Sequence, residues 1–153
     1  MNYYTKQTLL GPVTITEERG FITTLSFAQK LYGGKYDKLY LSACLQDAFT
    51  QLEEYLEGKR KNFSLPLNPS GTSFQQKVWS CLYSIPYGET RSYKDIAEQL
   101  GDKNSCRAVG NANNKNPIPV FIPCHRVIGA DGSLTGYRGG LEIKQKLLEL
   151  ENN

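Results

Sequence analysis

The sequence predicts an α+β fold in two parts: a small sheet-and-helix domain at residues 1–67 and a mostly helical domain at residues 72–153. Three observations support this prediction. Alternating apolar residues dominate the first 27 positions, and helix-period patterns dominate beyond residue 72. The turn-forming run Asn68-Pro69-Ser70-Gly71 lies between the two regions. A chain of 153 residues can form one ordinary domain or two small ones.

Residues 3–27 have the pattern of an antiparallel sheet. Val13 and Ile15 alternate with polar residues, and Gly11-Pro12 and Glu18-Arg19-Gly20 break the run into strands. Further apolar positions follow at Phe21, Ile22, Leu25 and Phe27. We therefore predict β-structure here, arranged as an antiparallel sheet.

A helix is predicted next, over residues 43–57. Ser42 is a candidate N-cap, and Gly58 is a typical terminator. The helical spacing is carried by Leu45, Ala48, Phe49, Leu52 and Leu56. The segment from Phe63 to Leu67 then has the composition of a short strand.

The second part begins with a helix that Thr72 and Gln75 start as a capping box. Its predicted buried stripe consists of Phe74, Val78, Trp79 and Leu82. Pro86-Tyr87-Gly88 ends it. Ser92 caps another helix, and Asn104 or Ser105 caps a third, so residues 92–115 form a plausible helix-turn-helix. Most pairs of short helices do not bind DNA, so this pattern alone is weak evidence.

An apolar run with three prolines, Pro117 to Pro123, follows the third helix. We expect it to be extended and to place Cys124 in a buried setting. After it we predict a short strand at Val127 and Ile128 and a glycine-rich loop from Thr135 to Gly140. A final amphipathic helix carries Leu141, Ile143, Leu147, Leu148 and Leu150.

Composition indicates a globular protein, with 39% hydrophobic and 22% charged residues. No apolar run approaches the roughly 20 residues of a membrane span, and the N-terminus does not resemble a signal peptide, so we expect an intracellular protein. The net charge of +3 is too small to indicate nucleic-acid binding. However, residues 103–130 contain no Asp or Glu but include Lys103, Arg107, Lys115 and Arg126. That stretch is compatible with phosphate binding and equally with an ordinary solvated face.

The chain has four cysteines and one histidine. No cysteine pair has CxxC spacing, so a structural zinc site is not indicated, and we expect no metal. Cys44 and Cys81 have apolar neighbours and are predicted to be core residues. His125 directly follows Cys124. Most buried cysteines are inert, but this adjacency makes Cys124 the candidate nucleophile.

The segment from Phe74 to Glu151 resembles the O6-alkylguanine-DNA alkyltransferases, also called methylated-DNA–protein-cysteine methyltransferases. The order and spacing of seven motifs support the resemblance: Phe74-Gln75-Gln76-Lys77-Val78-Trp79, Ile85-Pro86-Tyr87-Gly88, Ser92-Tyr93, Arg107-Ala108-Val109-Gly110, Asn116-Pro117, Pro123-Cys124-His125-Arg126-Val127 and Gly136-Tyr137-Arg138. It implies a ribonuclease H-like N-terminal domain and a winged helix-turn-helix in the C-terminal domain. It also implies irreversible transfer of an alkyl group from O6-alkylguanine, and from O4-alkylthymine, to the protein's own cysteine.

The resemblance assigns the nucleophile and its activation. Cys124 is the acceptor, and His125 acts on it through a water. A glutamate of the last helix orients the histidine; Glu151 fits that role, with Glu149 as the competing register. Such a suicide reaction uses no metal or organic cofactor and consumes one protein molecule per alkyl group.

The resemblance also assigns DNA contacts. Arg107 fills the space of the flipped nucleotide, Tyr93 donates a proton towards guanine N3 and crowds the 3′ phosphate, and Asn116 braces the turn before the active site. Small residues of the second helix approach the minor groove of double-stranded DNA, which suits a reader that must ignore sequence. The remaining DNA-binding candidates are Ala108, Gly110, Ala112, Lys103 and Lys115.

The implied substrate pocket is lined by Pro119, Val127, Tyr137, Arg138 and Gly139. The Tyr137 ring lies against the alkyl group, and the Arg138 N–H lies near guanine O6. Backbone carbonyls of Cys124 and Val127 receive the exocyclic amine. Many bacterial members have Trp where this chain has Gly139, so we hypothesise a wider pocket that accepts benzyl groups and free O6-benzylguanine.

Three other classes compete with this reading. Alkyltransferase-like proteins bind the lesion without reacting, but they lack the cysteine that this chain has. A Cys-His hydrolase needs an oxyanion hole and an acyl substrate site, and the motif around Cys124 is not a protease signature. A winged-helix regulator accounts for residues 92–115 but not for Cys124-His125. We expect a monomer in the cytoplasm, or in the nucleus of a eukaryote.

Overall fold

The computed structural model describes residues 1–152 and divides the chain into two compact units, Met1–Ser70 and a second that begins at Gly71. The first combines a sheet with one helix, and the second is mostly helical. The predicted α+β class is therefore confirmed. No helix within residues 1–152 is long and apolar enough to cross a bilayer.

The first unit is built on a four-stranded sheet in the order β3-β2-β1-β4. Its strands are β1 (Asn2–Thr8), β2 (Gly11–Glu18), β3 (Phe21–Ser26) and β4 (Lys38–Leu39). The first three pair antiparallel, as predicted. The edge strand β4 pairs parallel with β1, so the sheet is mixed. The pairing covers two residues only, which is too short for an alternating apolar pattern to predict the strand.

Helix α1 (Ala43–Leu56) packs against this sheet. The Ser42 hydroxyl caps it by accepting a hydrogen bond from the Leu45 amide at 3.2 Å. The predicted inner face is buried, and Gly58 adopts a φ of 77° just beyond the helix end. Cys44 is only half-buried, unlike Cys81, although both were expected in the core.

The predicted strand from Phe63 to Leu67 is wrong. Only Leu67 forms a bridge, with Ile22, supported by two backbone hydrogen bonds of 2.8 Å that flank it. Pro66 has no N–H to donate, so a regular ladder cannot extend through this segment.

The second unit begins with α2 (Ser73–Tyr83), whose capping box between Thr72 and Gln75 is present. Val78, Trp79 and Leu82 are buried, but Phe74 is 37% exposed and does not belong to the core. The helix ends three residues before the predicted stop at Pro86.

Helices α3 (Tyr93–Gln99) and α4 (Cys106–Asn114) form the helix-turn-helix pair and pack on each other and on α2. Ser92 caps α3. Ser105 holds the N-cap position of α4 without capping it, because its hydroxyl donates instead to the Asp102 carbonyl at 2.7 Å.

The proline-rich run is not extended throughout, contrary to the prediction. Val120 adopts a φ of 75°, and the Ile122 amide donates to the Ile118 carbonyl at 2.9 Å, so the chain turns sharply. Cys124–Arg126 then forms a single 3-10 turn. Pro117, Pro119 and Pro123 restrict φ at their own positions but leave Val120 free to reverse the chain.

The remaining elements are β5 (Arg91–Ser92), β6 (Val127–Ile128) and α5 (Leu141–Glu151). β5 and β6 pair parallel, which holds the segment after Cys124 beside the start of α3. The buried residues of α5 are Lys144, Leu147 and Glu151, while Leu141 is 49% exposed. Of the other apolar residues that the sequence assigned to this helix, Ile143, Leu148 and Leu150 are half-buried, so only Leu147 is a full core residue.

Candidate active site

Cys124 begins the 3-10 turn and is 3% exposed. Two hydrogen bonds from Asn116 shape the turn that leads to it. The Asn116 Nδ2 donates to the Ile122 carbonyl at 2.9 Å, and its Oδ1 accepts from the Ile118 amide at 3.0 Å. Asn116 is itself 1% exposed, so it closes the turn from inside.

His125 and Glu151 meet directly in the interior. The His125 Nε2 lies 2.7 Å from the Glu151 Oε2, and both side chains are almost fully buried. Because a carboxylate only accepts, His125 donates through Nε2 and leaves Nδ1 as the acceptor nitrogen. That Nδ1 is buried and has no hydrogen-bond partner within residues 1–152. Glu149 is exposed and bonds Gln145 instead.

Arg126 binds the same carboxylate in a two-pronged arrangement. Its Nε lies 2.8 Å from Glu151 Oε1 and its NH2 lies 2.9 Å from Oε2, while NH1 donates to the Ile85 carbonyl at 2.6 Å. Its guanidinium also lies over the Tyr87 ring at 5.7 Å. The sequence suggested that Arg126 contributes to a phosphate-binding stretch, but it is 7% exposed and paired inside the protein.

Burial dominates the electrostatics of the two reactive side chains. It raises the pKa of the Cys124 thiol to about 11, against the lowering effects of the Asn116 hydrogen bond and of the Lys144 and Arg138 charges. Burial likewise lowers the pKa of His125, which the Glu151 hydrogen bond only partly offsets. At neutral pH the pair is therefore a protonated thiol beside a neutral imidazole.

Tyr93, at the first position of α3, reaches the loop before α5. Its hydroxyl lies 2.7 Å from the Thr135 hydroxyl, and a Cβ added at Gly110 would lie 3.7 Å from its ring. Gly110 therefore lies against the Tyr93 ring and is half-buried rather than open.

The outer face of α4 and its flanks carries most of the predicted DNA-binding residues. Arg107 and Ala108 are exposed on α4, and Lys103 and Lys115 are exposed beside its ends. Ala112 instead is 3% exposed, and its carbonyl accepts the Trp79 indole N–H at 2.9 Å. It packs α4 onto α2 and is not available to a ligand of the exposed face.

The predicted pocket residues differ in exposure. Pro119, Val127 and Tyr137 are buried, Gly139 is half-buried and Arg138 is exposed. Val127 opens β6 directly after the 3-10 turn, so its backbone lies next to Cys124 in the chain.

Sequence reasoning missed two charged residues of this site. Arg126 was visible in the motif but not as the partner of Glu151. Lys144 is fully buried on α5, and its ammonium donates to the Val127 and Thr135 carbonyls at 2.7 Å each. Its only sequence signal is a lysine seven residues before Glu151, which puts both on one face of a helix.

Taken together, the site has a buried thiol, a neutral imidazole with one free acceptor nitrogen, and the positive charges of Arg126 and Lys144. This combination suits a thiol that becomes a thiolate only when substrate is present. No cluster of His, Cys, Asp and Glu within residues 1–152 is arranged to hold a metal ion.

Two family models match the chain. Residues 1–69 match the 6-O-methylguanine DNA methyltransferase ribonuclease-like domain, and residues 73–153 match the DNA-binding domain of the same family. The chain belongs to this family. The predicted resemblance is thereby confirmed for both parts of the sequence.

Relatives align with the chain over nearly its whole length. The constitutive methylated-DNA–protein-cysteine methyltransferase of Bacillus subtilis is 49% identical, covering 99% of this chain and 96% of its own. The corresponding protein of Methanosarcina barkeri is 46% identical, covering 100% and 98%. The crystal structure of Mycobacterium tuberculosis OGT in complex with DNA superposes with a TM-score of 0.91 at 43% identity, covering 99% and 93%.

The lowered pKa of His125 has a consequence for stability. Its unfolded-state pKa is near the ordinary 6.5, so below that pH the unfolded chain binds a proton that the native state excludes. We expect the free energy of unfolding to fall as pH decreases from 6.5, by up to about 1.4 kcal/mol per unit. Urea unfolding at a series of pH values measures this slope.

His125→Gln is the control, because Gln can still donate to Glu151 but does not titrate. As His125 is the single histidine of the chain, no other imidazole contributes in this range. The variant should lose less stability than the native chain between about pH 6.5 and pH 5. Parallel losses in the two proteins would show that His125 does not carry the effect.

Proposed function

We propose that this protein repairs DNA by transferring the alkyl group of O6-alkylguanine, and of O4-alkylthymine, irreversibly to its own Cys124. The main observation in support is the buried Cys124 thiol beside a His125 whose Nε2 is held by Glu151. The family assignment supports the reaction, and this geometry supports Cys124 as the nucleophile and His125 as its base.

Activation starts from a neutral pair. With its pKa raised to about 11, Cys124 is a thiol at rest, so it reacts only slowly with unrelated electrophiles. When the substrate is in place, the thiol proton passes to His125 Nδ1, through a water. Glu151 stabilises the imidazolium that forms, because its carboxylate already accepts the Nε2 proton at 2.7 Å.

The transfer itself is a displacement at saturated carbon. The Cys124 Sγ forms a bond to the alkyl carbon while the bond from that carbon to guanine O6 breaks and the electron pair stays on the guanine. Tyr93 delivers a proton to N3, so guanine leaves as a neutral base. The Thr135 hydroxyl, 2.7 Å away, positions the Tyr93 hydroxyl for this step. The thioether is stable, and the protein acts once.

The target atom lies inside the base stack, so the nucleotide must rotate out of the duplex. Arg107 is exposed on α4 and fills the vacated space, while Lys103 and Lys115 contact phosphates at either end. Ala108 and the backbone around Gly110 allow close approach in the minor groove. We assign DNA binding to the exposed face of α4 and leave Ala112 out of it.

The pocket for the flipped base is assigned to Pro119, Val127, Tyr137, Arg138 and Gly139. Tyr137 contacts the alkyl group, the Arg138 amide lies near O6, and the carbonyls of Cys124 and Val127 receive the exocyclic amine. Asn116 positions this pocket by closing the turn before Cys124.

We place the reaction in the cytoplasm and infer that a monomer suffices.

The direct test is mass analysis of the protein after incubation with a duplex containing O6-methylguanine. Peptide mapping should find one added methylene on Cys124 and a stoichiometry of one. Cys124→Ser should bind the duplex but carry no adduct, and Cys44→Ser, the matched control in the first unit, should react like the native chain. Lesion binding without an adduct on the native protein would instead indicate a damage-binding module.

The absence of a bulky side chain at Gly139 should set the range of alkyl groups. We expect Gly139→Trp to lower the reaction rate with free O6-benzylguanine by at least about tenfold, equivalent to about 1.4 kcal/mol of lost transition-state binding. Methyl transfer from duplex DNA should change much less, because a methyl group needs little room. Equal benzyl rates in the two proteins would contradict the wide-pocket assignment.

A further inference from the structure

Lys144 lies on the buried face of α5 and is 0% exposed. Burying an ammonium is costly unless its hydrogen bonds and charge are compensated. Two of its three donors are used by the Val127 and Thr135 carbonyls, each at 2.7 Å. No carboxylate within residues 1–152 lies at ion-pair distance from it. Two of the three N–H donors are therefore satisfied, while the charge has no acidic partner among the described residues.

The two carbonyls belong to different walls of the site. Val127 follows the 3-10 turn that carries Cys124, and Thr135 begins the loop that carries Tyr137 and Arg138. The Thr135 hydroxyl in turn contacts Tyr93. A single ammonium therefore ties the nucleophile segment to the substrate loop.

We propose that Lys144 is a positioning residue of alkyl transfer, whose buried ammonium joins these two walls and supplies the positive charge that stabilises the Cys124 thiolate. This inference rests on the proposed function. Lys144 forms no bond to substrate and gives up no proton. Its charge lacks a counter-ion while Cys124 is a thiol and gains one when the thiolate forms.

The electrostatic effects on both reactive groups agree with this placement. The Lys144 charge favours a lower pKa for Cys124 and for His125. The pKa of Lys144 itself is lowered by burial, which the charge of a Cys124 thiolate opposes. Other charged groups that face the pair are Arg126, Arg138 and Glu151. Glu151 is already engaged by His125 and Arg126, which leaves Lys144 as a separate source of charge.

Three substitutions separate charge from hydrogen bonding. Lys144→Met removes both, Lys144→Gln keeps N–H donors without charge, and Lys144→Arg keeps charge and donors. Lys146→Met is the matched control, because Lys146 is an exposed lysine of the same helix paired with Glu142 at 3.7 Å. Melting temperature and affinity for a lesion-containing duplex are measured first, so that the rates refer to folded, DNA-bound protein.

The decisive measurements are the single-turnover methyl-transfer rate between about pH 5 and pH 8 and the rate of Cys124 alkylation by iodoacetamide without DNA. We expect Met and Gln to slow methyl transfer at neutral pH by about tenfold or more, because an opposite charge close by typically moves a pKa by at least about one unit. In both variants the fall in rate at low pH should begin at a higher pH, because losing the positive charge raises the pKa of His125. Lys144→Arg should show the same low-pH fall as the native chain, and Lys146→Met should match the native chain at every pH.

Two results would overturn the inference. If Gln restores the native rate and pH profile while Met does not, Lys144 acts through its hydrogen bonds alone. If both neutral variants keep the native profile and iodoacetamide rate, its charge does not act on Cys124. A native protein that transfers no methyl group refutes the proposed function instead, while the iodoacetamide rates still test Lys144.

Discussion

The site depends on one buried carboxylate. Glu151 accepts hydrogen bonds from His125 and, in two places, from Arg126, with all three side chains at most 8% exposed. Without the carboxylate, a guanidinium would be left buried and uncompensated, a change that typically costs several kcal/mol. The same carboxylate determines which imidazole nitrogen carries the proton. Stability and chemistry therefore share one contact.

This contact explains why the last helix matters to a site formed far away in sequence. The buried face of α5 carries Lys144, Leu147 and Glu151, so its two polar members lie two turns apart around one apolar residue. Glu151 binds the His125 imidazole, and Lys144 donates hydrogen bonds to β6 and to the loop that begins at Thr135. Arg126 further ties Glu151 to the segment that follows α2, through the Ile85 carbonyl.

Burial keeps the Cys124 thiol protonated at neutral pH by raising its pKa. A cysteine with a pKa of about 11 reacts slowly with chance electrophiles, while the Asn116 hydrogen bond and the Lys144 and Arg138 charges favour its thiolate. His125 is kept neutral by burial and by the neighbouring cations, so it can accept that proton. A protein that reacts only once benefits from a nucleophile that reacts slowly until the correct substrate is bound.

Local signals predicted the helices well. The Ser42, Thr72 and Ser92 caps act within a few residues, so sequence patterns contain them. The adjacency of Cys124 and His125 likewise pointed to the site, and the motif resemblance supplied Glu151 as its partner.

The errors share a physical cause, namely contacts between residues far apart in the chain. β4 exists only because β1 offers an edge, and Ala112 is buried only because Trp79 packs on α4. Arg126 was assigned to a basic stretch and Lys144 was not singled out, because their partners lie 25 and 17 residues away in the chain. The turn at Val120 requires a backbone conformation that a β-branched residue rarely adopts, so no propensity predicts it.

The central claim is that His125 is a neutral base with its proton on Nε2 and a free lone pair on Nδ1. Nitrogen-15 NMR of the imidazole tests it directly, because the chain has only one histidine and the spectrum needs no assignment among several. At neutral pH we predict a protonated Nε2 and an unprotonated Nδ1. An imidazolium, or a neutral ring protonated on Nδ1, would contradict the account.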